Sequence, residues 1–329
     1  MSFTEIIQLI QSAIWFGTVI LLGAVGEILT EKSGNLNLGV PGIMYLGGIA
    51  GLVSVFFYEL NTPNPNGFVC LIIAMVSSFA AAALGGLLFS FLTTTLRVNQ
   101  NVTGLTLNIF AGGLANFLGG SLNKLAGGVG QISVATTSAA YRWTPSFLSN
   151  WGGVGQLLSG FGFMVYLAII LALVLARFLN HSRTGLNLRS VGENPATADA
   201  AGINVTKYKY LATCIGSGIT GLGGLYYVMD YTKGTWDSAG GIESLGWLAL
   251  ALVIFASWKS LRAILGAYLF GALFWLYMYI DGLSRSTLEL FKMLPYVVTL
   301  VVLIVVSVRK KKENQPPAHL GLPYFREER

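Results

Sequence analysis

Charge is what this sequence has least of. Only 10% of its 329 residues are Asp, Glu, Lys or Arg, whereas an ordinary soluble domain carries about 25%. A water-soluble chain of this size could not cover the apolar remainder, which excludes a soluble globular protein. Cysteine is scarce too. Cys70 and Cys214 both lie in apolar stretches, which excludes a disulfide scaffold and leaves two small buried hydrophobes. The two histidines, His181 and His319, have no partner at metal-ligand spacing. No G-x-x-x-x-G-K-[ST] occurs, so the chain does not bind ATP through a P-loop. Neither H-E-x-x-H nor G-x-S-x-G is present, so no signature of catalysis is found.

What is plentiful is apolar. Hydrophobic residues make up 54% of the chain, and the mean hydropathy is +0.66. Runs of about 20 apolar residues, the length that crosses a bilayer as a helix, fall near 10–30, 40–58, 67–96, 102–122, 161–180, 210–230, 245–258, 264–281 and 294–308. The pattern predicts an all-α polytopic membrane helix bundle of about 8–10 transmembrane helices. The segment 67–96 is long enough to tilt or to end in a loop, and the Gly-rich 40–58 is a candidate for a broken helix. The first run has no charged n-region and is too long for a cleaved signal, so it is expected to stay as an anchor.

The net charge of +6 would suit nucleic acid, but no basic–aromatic patch accompanies it. The cations instead gather in loops and tail, so membrane lipid is the expected neighbour and nucleic acid is not. The loop 181–209 carries Arg183, Arg189, Lys207 and Lys209; Arg97 follows the third span; Lys259 and Arg262 follow the seventh; Arg309-Lys310-Lys311-Lys312 opens the tail. The loop 59–66 has none. The positive-inside bias then predicts a cytoplasmic C-terminus, with a transmembrane domain at 1–308 and a tail at 309–329. The N-terminus is outside if the spans number nine, inside if one is mis-split. The region 123–160 becomes the largest outer loop, with room for a re-entrant or interfacial segment.

Forty-one glycines suit a bundle whose helices must approach closely without a hydrophobic drive. Gly47 and Gly51, Gly85-Gly86, Gly112-Gly113 and Gly223-Gly224 are candidates for tight crossings. Gly216 to Gly221, "GSGITG", matches a dinucleotide fingerprint but lies inside a span, where helix packing explains it. Polar residues beside spans are candidates for a translocation pathway: Asn37, Asn99, Thr103 and Asn108. Glu27 sits near the inner end of the first span. Asp230, Asp237, Glu243 and Asp281 gather toward the outer side and read as solvated helix ends. No convincing carboxylate stands at mid-span, as a proton-coupled carrier would need.

Between two spans lies a polar stretch, Ser190 to Ile203, "SVGENPATADAAGI". Asn194 is a good N-cap, Pro195 suits the first helical position, Ala196 to Ala201 favour helix, and Gly202 can end it in a left-handed conformation. So short a helix is marginal by itself and needs a surface; docking to a cytoplasmic partner is its expected use.

The whole stretch "RTGLNLRSVGENPATADAAGINVTKYK" resembles the cytoplasmic loop of the permease subunits of ATP-binding cassette importers, in the branch for nucleosides, simple sugars and branched-chain amino acids. In that family this helix is the coupling element that fits a cleft on the ATPase, a type II importer arrangement. By position the resemblance assigns coupling to Arg189, Gly192, Glu193, Asn194, Pro195, Ala196, Ala200 and Gly202, with Ala198 also matching. "EKSGNLNLGVPGIMYLGG" and "RVNQNVTGLTLN" resemble the entries to two core spans, and "PPAHLGLPYFREER" the tail of nucleoside-type permeases. Pro41 stands where the family often has a carboxylate, Ser257 where glycine is common, and Lys-Ser-Leu-Arg from Lys259 where a proline-bearing turn is usual. The resemblance implies a transport subunit rather than an enzyme, in the cell's inner membrane and without a cofactor of its own, ATP being bound by a partner ATPase. It implies further partners: a second, paralogous permease and an extracytoplasmic substrate-binding protein. The implied solute is uncharged, nucleosides first, with riboflavin or a simple sugar as alternatives. A stand-alone secondary carrier is the rival from another class.

Overall fold

The computed structural model describes residues 3–125, 128, 132–143, 160–280, 285–309 and 314–325. Twelve helices follow one another in these residues. They are α1 (Phe3–Glu31), α2 (Val40–Asn61), α3 (Gly67–Ser90, continued by a π-helical turn over Phe91–Thr95), α4 (Gln100–Leu125), α5 (Ala135–Tyr141) and α6 (Phe163–His181). Then come α7 (Arg183–Glu193), α8 (Pro195–Ala200), α9 (Val205–Tyr226, with a π turn over Tyr227–Tyr231), α10 (Gly241–Phe255), α11 (Ser260–Trp275, with a 3-10 turn over Leu276–Tyr279) and α12 (Arg285–Arg309). No strand forms among the described residues; Ser133 and Thr235 make an isolated bridge.

Every predicted span falls on a helix. Seven helices are long and apolar enough to cross a bilayer. α10 is apolar but has 15 residues, and α12 has 25 with Pro295 inside it. The segment 40–58 is not broken: α2 runs through it for 22 residues. Its glycines serve contact with neighbouring backbones, not a bend.

α9 lies at the centre, packed against α1, α2 and α3. Gly26 of α1 and Gly216 of α9 meet so closely that a Cβ on either would strike the other's carbonyl oxygen, and a Cβ on Gly47 of α2 would strike the Gly221 backbone. Gly218 receives the Phe79 ring. The "GSGITG" tract is therefore a packing surface of α9, as a bilayer demands of helices that must touch through small residues. Gly112 and Gly113 do not form the tight crossing expected of them. Gly113 has nothing within 4 Å of a built Cβ, and Gly112 meets the edge of the Tyr45 ring at 3.5 Å. α4 packs on α2 through Gly104 against Gly39 and Asn108 against Gly42, while Gly113 is exposed and Gly119, further along, takes the Trp236 indole.

α1 is buried along most of its length, whereas α3, α4, α6 and α12 turn Val76, Leu84, Ile109, Val174 and Ile304 outward. The acidic residues read as solvated ends are more engaged than that. Asp230 is buried, with Oδ2 unpartnered; Asp237 accepts from the Tyr227 hydroxyl at 2.6 Å; Glu243 accepts from Asn108 at 3.3 Å. Asp281 lies outside the described residues, as do Lys310, Lys311 and Lys312 and most of 123–160. Within that loop α5 is held by Glu59, whose Oε1 accepts from the Thr137 amide at 2.8 Å and hydroxyl at 2.6 Å.

Candidate functional site

The stretch 181–205 builds two helices, not one. Ser182 caps α7, its Oγ accepting from the Gly185 amide at 2.9 Å. α7 then runs on to Glu193, taking in Ser190 to Gly192, and stops where Pro195 has no N–H to continue it. Asn194 closes α7 and opens α8. Its Oδ1 accepts from the Thr197 amide at 3.0 Å. At the other end, Gly202 takes a φ of +82°, and the Gly202 and Ile203 amides fold back onto Asp199 at 2.9 Å and Ala198 at 3.0 Å. Asn204 caps α9, accepting from the Lys207 amide at 2.9 Å. Three caps within a few residues fix the course of the chain.

α8 has an inner and an outer side. Pro195 and Ala198 are buried, Ala198 in a small cluster with Val191 and Val205 that Ile203, Tyr208 and Tyr324 cover. Glu193, Asn194, Ala196, Thr197, Ala200 and Gly202 are exposed. The outward face thus consists of small side chains with one carboxylate beside them. A smooth knob of this kind can enter a cleft in another protein without desolvating long charged side chains. Arg189 is half-buried on α7, and its Nε finds no acceptor.

Gly192 is where α7 meets the turn after α1. A Cβ there would collide with the Lys32 carbonyl oxygen, and Gly34, at φ +89°, packs against it. That turn is in turn held from several sides. The Glu27 carboxylate accepts from the Asn37 amide at 3.2 Å, Asn35 donates to the Thr213 hydroxyl at 3.0 Å, and Gln100 accepts from the Leu36 amide at 2.6 Å. Glu31 accepts from the Trp258 indole N–H. Ser257 and Trp258 both sit at positive φ, +52° and +55°, so this turn adopts the left-handed backbone that a glycine accommodates most easily.

The tail straps these parts together, a feature sequence reasoning missed. The His319 amide donates to the Gly192 carbonyl at 3.0 Å and the Gly321 amide to Gly34 at 3.1 Å. The Ala318 amide donates to Glu193 at 3.2 Å, and the Tyr324 hydroxyl to Asp199 at 3.0 Å. Asn314 accepts from Lys259 at 3.2 Å and Arg262 at 3.0 Å. Arg97 lies over the Phe325 ring, 4.6 Å from its centre. Burial, and next the charge of Lys209, lower the His319 imidazole pKa below its ordinary 6.5; burial likewise lowers the Lys32 ammonium. The signal was present in "PPAHLGLPYF", a Pro- and Gly-marked stretch with apolar residues, yet nothing in its spacing names Gly34 and Gly192 as partners.

Of the four pathway candidates, Asn99 and Thr103 are bonded to each other in the first turn of α4, Asn37 lies where that helix packs against Gly39, and Asn108 stands apart from them toward α10. Asn37 is 1% exposed, and its Oδ1 accepts from the Gly39 amide at 2.9 Å. Asn99 caps α4, accepting from Asn101 and Val102 at 3.0 and 3.1 Å. The Thr103 hydroxyl donates back to Asn99 at 2.8 Å. Asn108 reaches another helix: its amide donates to Glu243 of α10, and its Oδ1 is buried without a partner. Among the described residues no group of His, Cys, Asp and Glu is arranged to hold a metal ion.

Residues 9–303 match the model of a family described as the permease component of the branched-chain amino acid transport system. The chain belongs to that family. This permease is therefore a multi-pass, membrane-spanning transport component. It is 32% identical over 265 residues to TsgC13 of Haloferax volcanii, a protein named as a glucose ABC transporter permease, covering 80% of this chain and 75% of that one. It is 30% identical over 304 residues to the nucleoside ABC transporter permease NupC of Lactococcus lactis subsp. cremoris, covering 90% of each. It is also 30% identical over 350 residues to the guanosine ABC transporter permease NupQ of Bacillus subtilis, covering the full length of both. Lactococcus holds a second, more distant relative, the nucleoside permease NupB, 20% identical over 77% of this chain. No solved structure matches this permease.

Proposed function

We propose that this permease imports a small uncharged solute, a nucleoside first of all, and is driven by a separate ATP-binding cassette ATPase that grips α8. The observation that carries the docking is the helix itself. Six residues are capped at both ends, backed by an apolar cluster, and present small side chains outward. ATP-driven closure of the ATPases would move α8 as a rigid lever. Through Gly192 and the turn after α1, the motion would pass to α1 and α9 at the bundle centre and switch the cavity between outward and inward access. Glu193, Asn194, Ala196, Ala200 and Gly202 form the proposed docking surface, with Arg189, Gly192 and Pro195 supporting it. Asn108, with its unpartnered Oδ1, is the pathway candidate best suited to meet a solute hydroxyl.

Orientation follows from charge. Lys32, Arg97, Arg183, Arg189, Lys259 and Arg262 gather at the end that carries α7, α8 and the tail, and such a bias marks the cytoplasmic side. The C-terminus is then cytoplasmic and the membrane is the cell's inner one. A second, paralogous permease would complete the pathway, a reading supported by the presence in one organism of two relatives, NupB and NupC, both named as nucleoside permeases. A binding protein outside would deliver the solute. Relatives named for nucleosides and guanosine support a nucleoside cargo, while the glucose-named relative favours a sugar as the second reading.

Glu193→Arg tests the docking. Uptake in cells should fall at least about tenfold, the loss of one charged contact, with unchanged amounts of permease in the membrane. Uptake at the wild-type rate would remove α8 from the mechanism. Mass spectrometry of the ligand released from the denatured binding protein decides between nucleoside and sugar.

A further inference from the structure

A cavity of about 740 Å³ opens between the end of α3, the α8–α9 junction and the tail. Its lining is built for an anion. Lys209 faces it while only 3% exposed, and no hydrogen bond or ion pair reaches that ammonium among the described residues. Thr94 lines it too, and its hydroxyl is buried without a partner. Arg97 and Lys207 add two further cations. Val205 and Thr206 of the lining belong to the first turn of α9, a 22-residue helix; N–H groups in a first turn have no intrahelical acceptor, and the Asn204 cap is taken by Lys207. Asp199, the one acid in the lining among the described residues, already accepts from Tyr324 at 3.0 Å.

A buried ammonium is tolerated when a counter-charge meets it, and none meets Lys209 among the described residues. We propose that the cavity binds a phosphate group. Three cations, hydroxyls and a helix N-terminus match the several acceptor oxygens of a phosphate better than the two of a carboxylate. The phosphate has two sources of the same chemistry: the headgroup of an anionic phospholipid, or a free phosphomonoester such as a nucleoside monophosphate. The nucleotide source rests on the cytoplasmic orientation of this end given above. Gly202, Ile203 and Asn204 line the same cavity, so an occupant ties the trailing end of α8 to α3 and the tail.

The test uses the full chain, purified in detergent without anionic lipid, with binding followed by native mass spectrometry and fluorescence titration. The probes are dioctanoyl phosphatidylglycerol, adenosine monophosphate and inorganic phosphate, with adenosine as the uncharged control. At least one phosphate probe should saturate while adenosine does not, and Lys209→Met should weaken that probe about tenfold or more. Lys124→Gln, distant from the cavity, should leave it unchanged. If Lys209→Met fails to fold, Arg97→Gln with Lys207→Gln carries the same comparison. Binding of the phospholipid alone identifies a lipid site, and binding of adenosine monophosphate alone a nucleotide site. No binding by any probe, or binding indifferent to these substitutions, would overturn the proposal. The permease is alone in this assay, so its outcome is separate from whether an ATPase docks on α8.

Discussion

Asn194→Ala removes the acceptor that holds the Thr197 amide at 3.0 Å. Losing an N-cap of this kind costs about 1 kcal/mol, within a range of roughly 0.5–2. In a long helix that loss would fray one turn. α8 has only six residues and lies far below the length at which a helix offsets its own nucleation, so its order rests on a few contacts. These are the cap, the fixed φ of Pro195, the left-handed Gly202 and the contacts of Ala198 with Val191, Val205 and Tyr324. Removing about 1 kcal/mol from that set multiplies the open population roughly fivefold. Hydrogen–deuterium exchange should therefore speed up about fivefold in peptides covering 195–204, while α9 beyond Thr213 exchanges as before. Asn194→Asp and Asn194→Ser restore a capping oxygen and should return protection close to the wild-type level. Exchange in Asn194→Ala equal to the wild type would refute the reasoning, as would an equal loss in Asn194→Asp.

Three further outcomes follow from the same end of the bundle. Gly192→Val places a side chain against the Lys32 carbonyl and should cost about 1–3 kcal/mol; the tail anchored on Gly192 should then be cut faster in limited proteolysis, and an unchanged rate would contradict the packing. His319 has a folded-state pKa below its ordinary 6.5, so the unfolded chain binds the proton more readily. The docked tail is fully stable above about pH 6.5 and loses stability as pH falls through and below that value. Tail release measured between about pH 7.5 and about pH 5 should flatten in His319→Gln. Trp258→Phe leaves the buried Glu31 carboxylate without its indole donor and should lower stability by about 1–3 kcal/mol, read as a fall in the thermal midpoint in detergent.

Much of the fold was legible because lipid leaves few choices. A run of about 20 apolar residues must be a helix where water cannot satisfy its backbone, and all nine predicted runs are helices. The α8 boundaries were legible for a different reason: Asn194, Pro195 and Gly202 act on their own neighbours, so spacing alone carries them. What depended on long-range contact was not. Gly192 requires the Lys32 carbonyl, and the tail requires Gly34, Glu193 and Asp199 as partners; no local pattern links residues that far apart. The π turns ending α3 and α9 likewise leave no periodic mark. Gly112 and Gly113 show the reverse failure, since small residues mark a close approach without naming a partner: Gly112 meets only the edge of the Tyr45 ring, and Gly113 has nothing within 4 Å among the described residues. Asn37, Asn99 and Thr103 were read from their polarity, and one oxygen of each serves the backbone of its own turn, a local role that the sequence pattern did not separate from a pathway role.

Reconstitution tests the central claim most directly. The permease, with its paired permease, is placed in liposomes with radiolabelled nucleoside and loaded binding protein, with and without the ATPase and ATP on the α8 side. The account predicts accumulation that requires both the ATPase and hydrolysable ATP and is lost in Glu193→Arg. Accumulation without the ATPase, driven by an ion gradient, would contradict it.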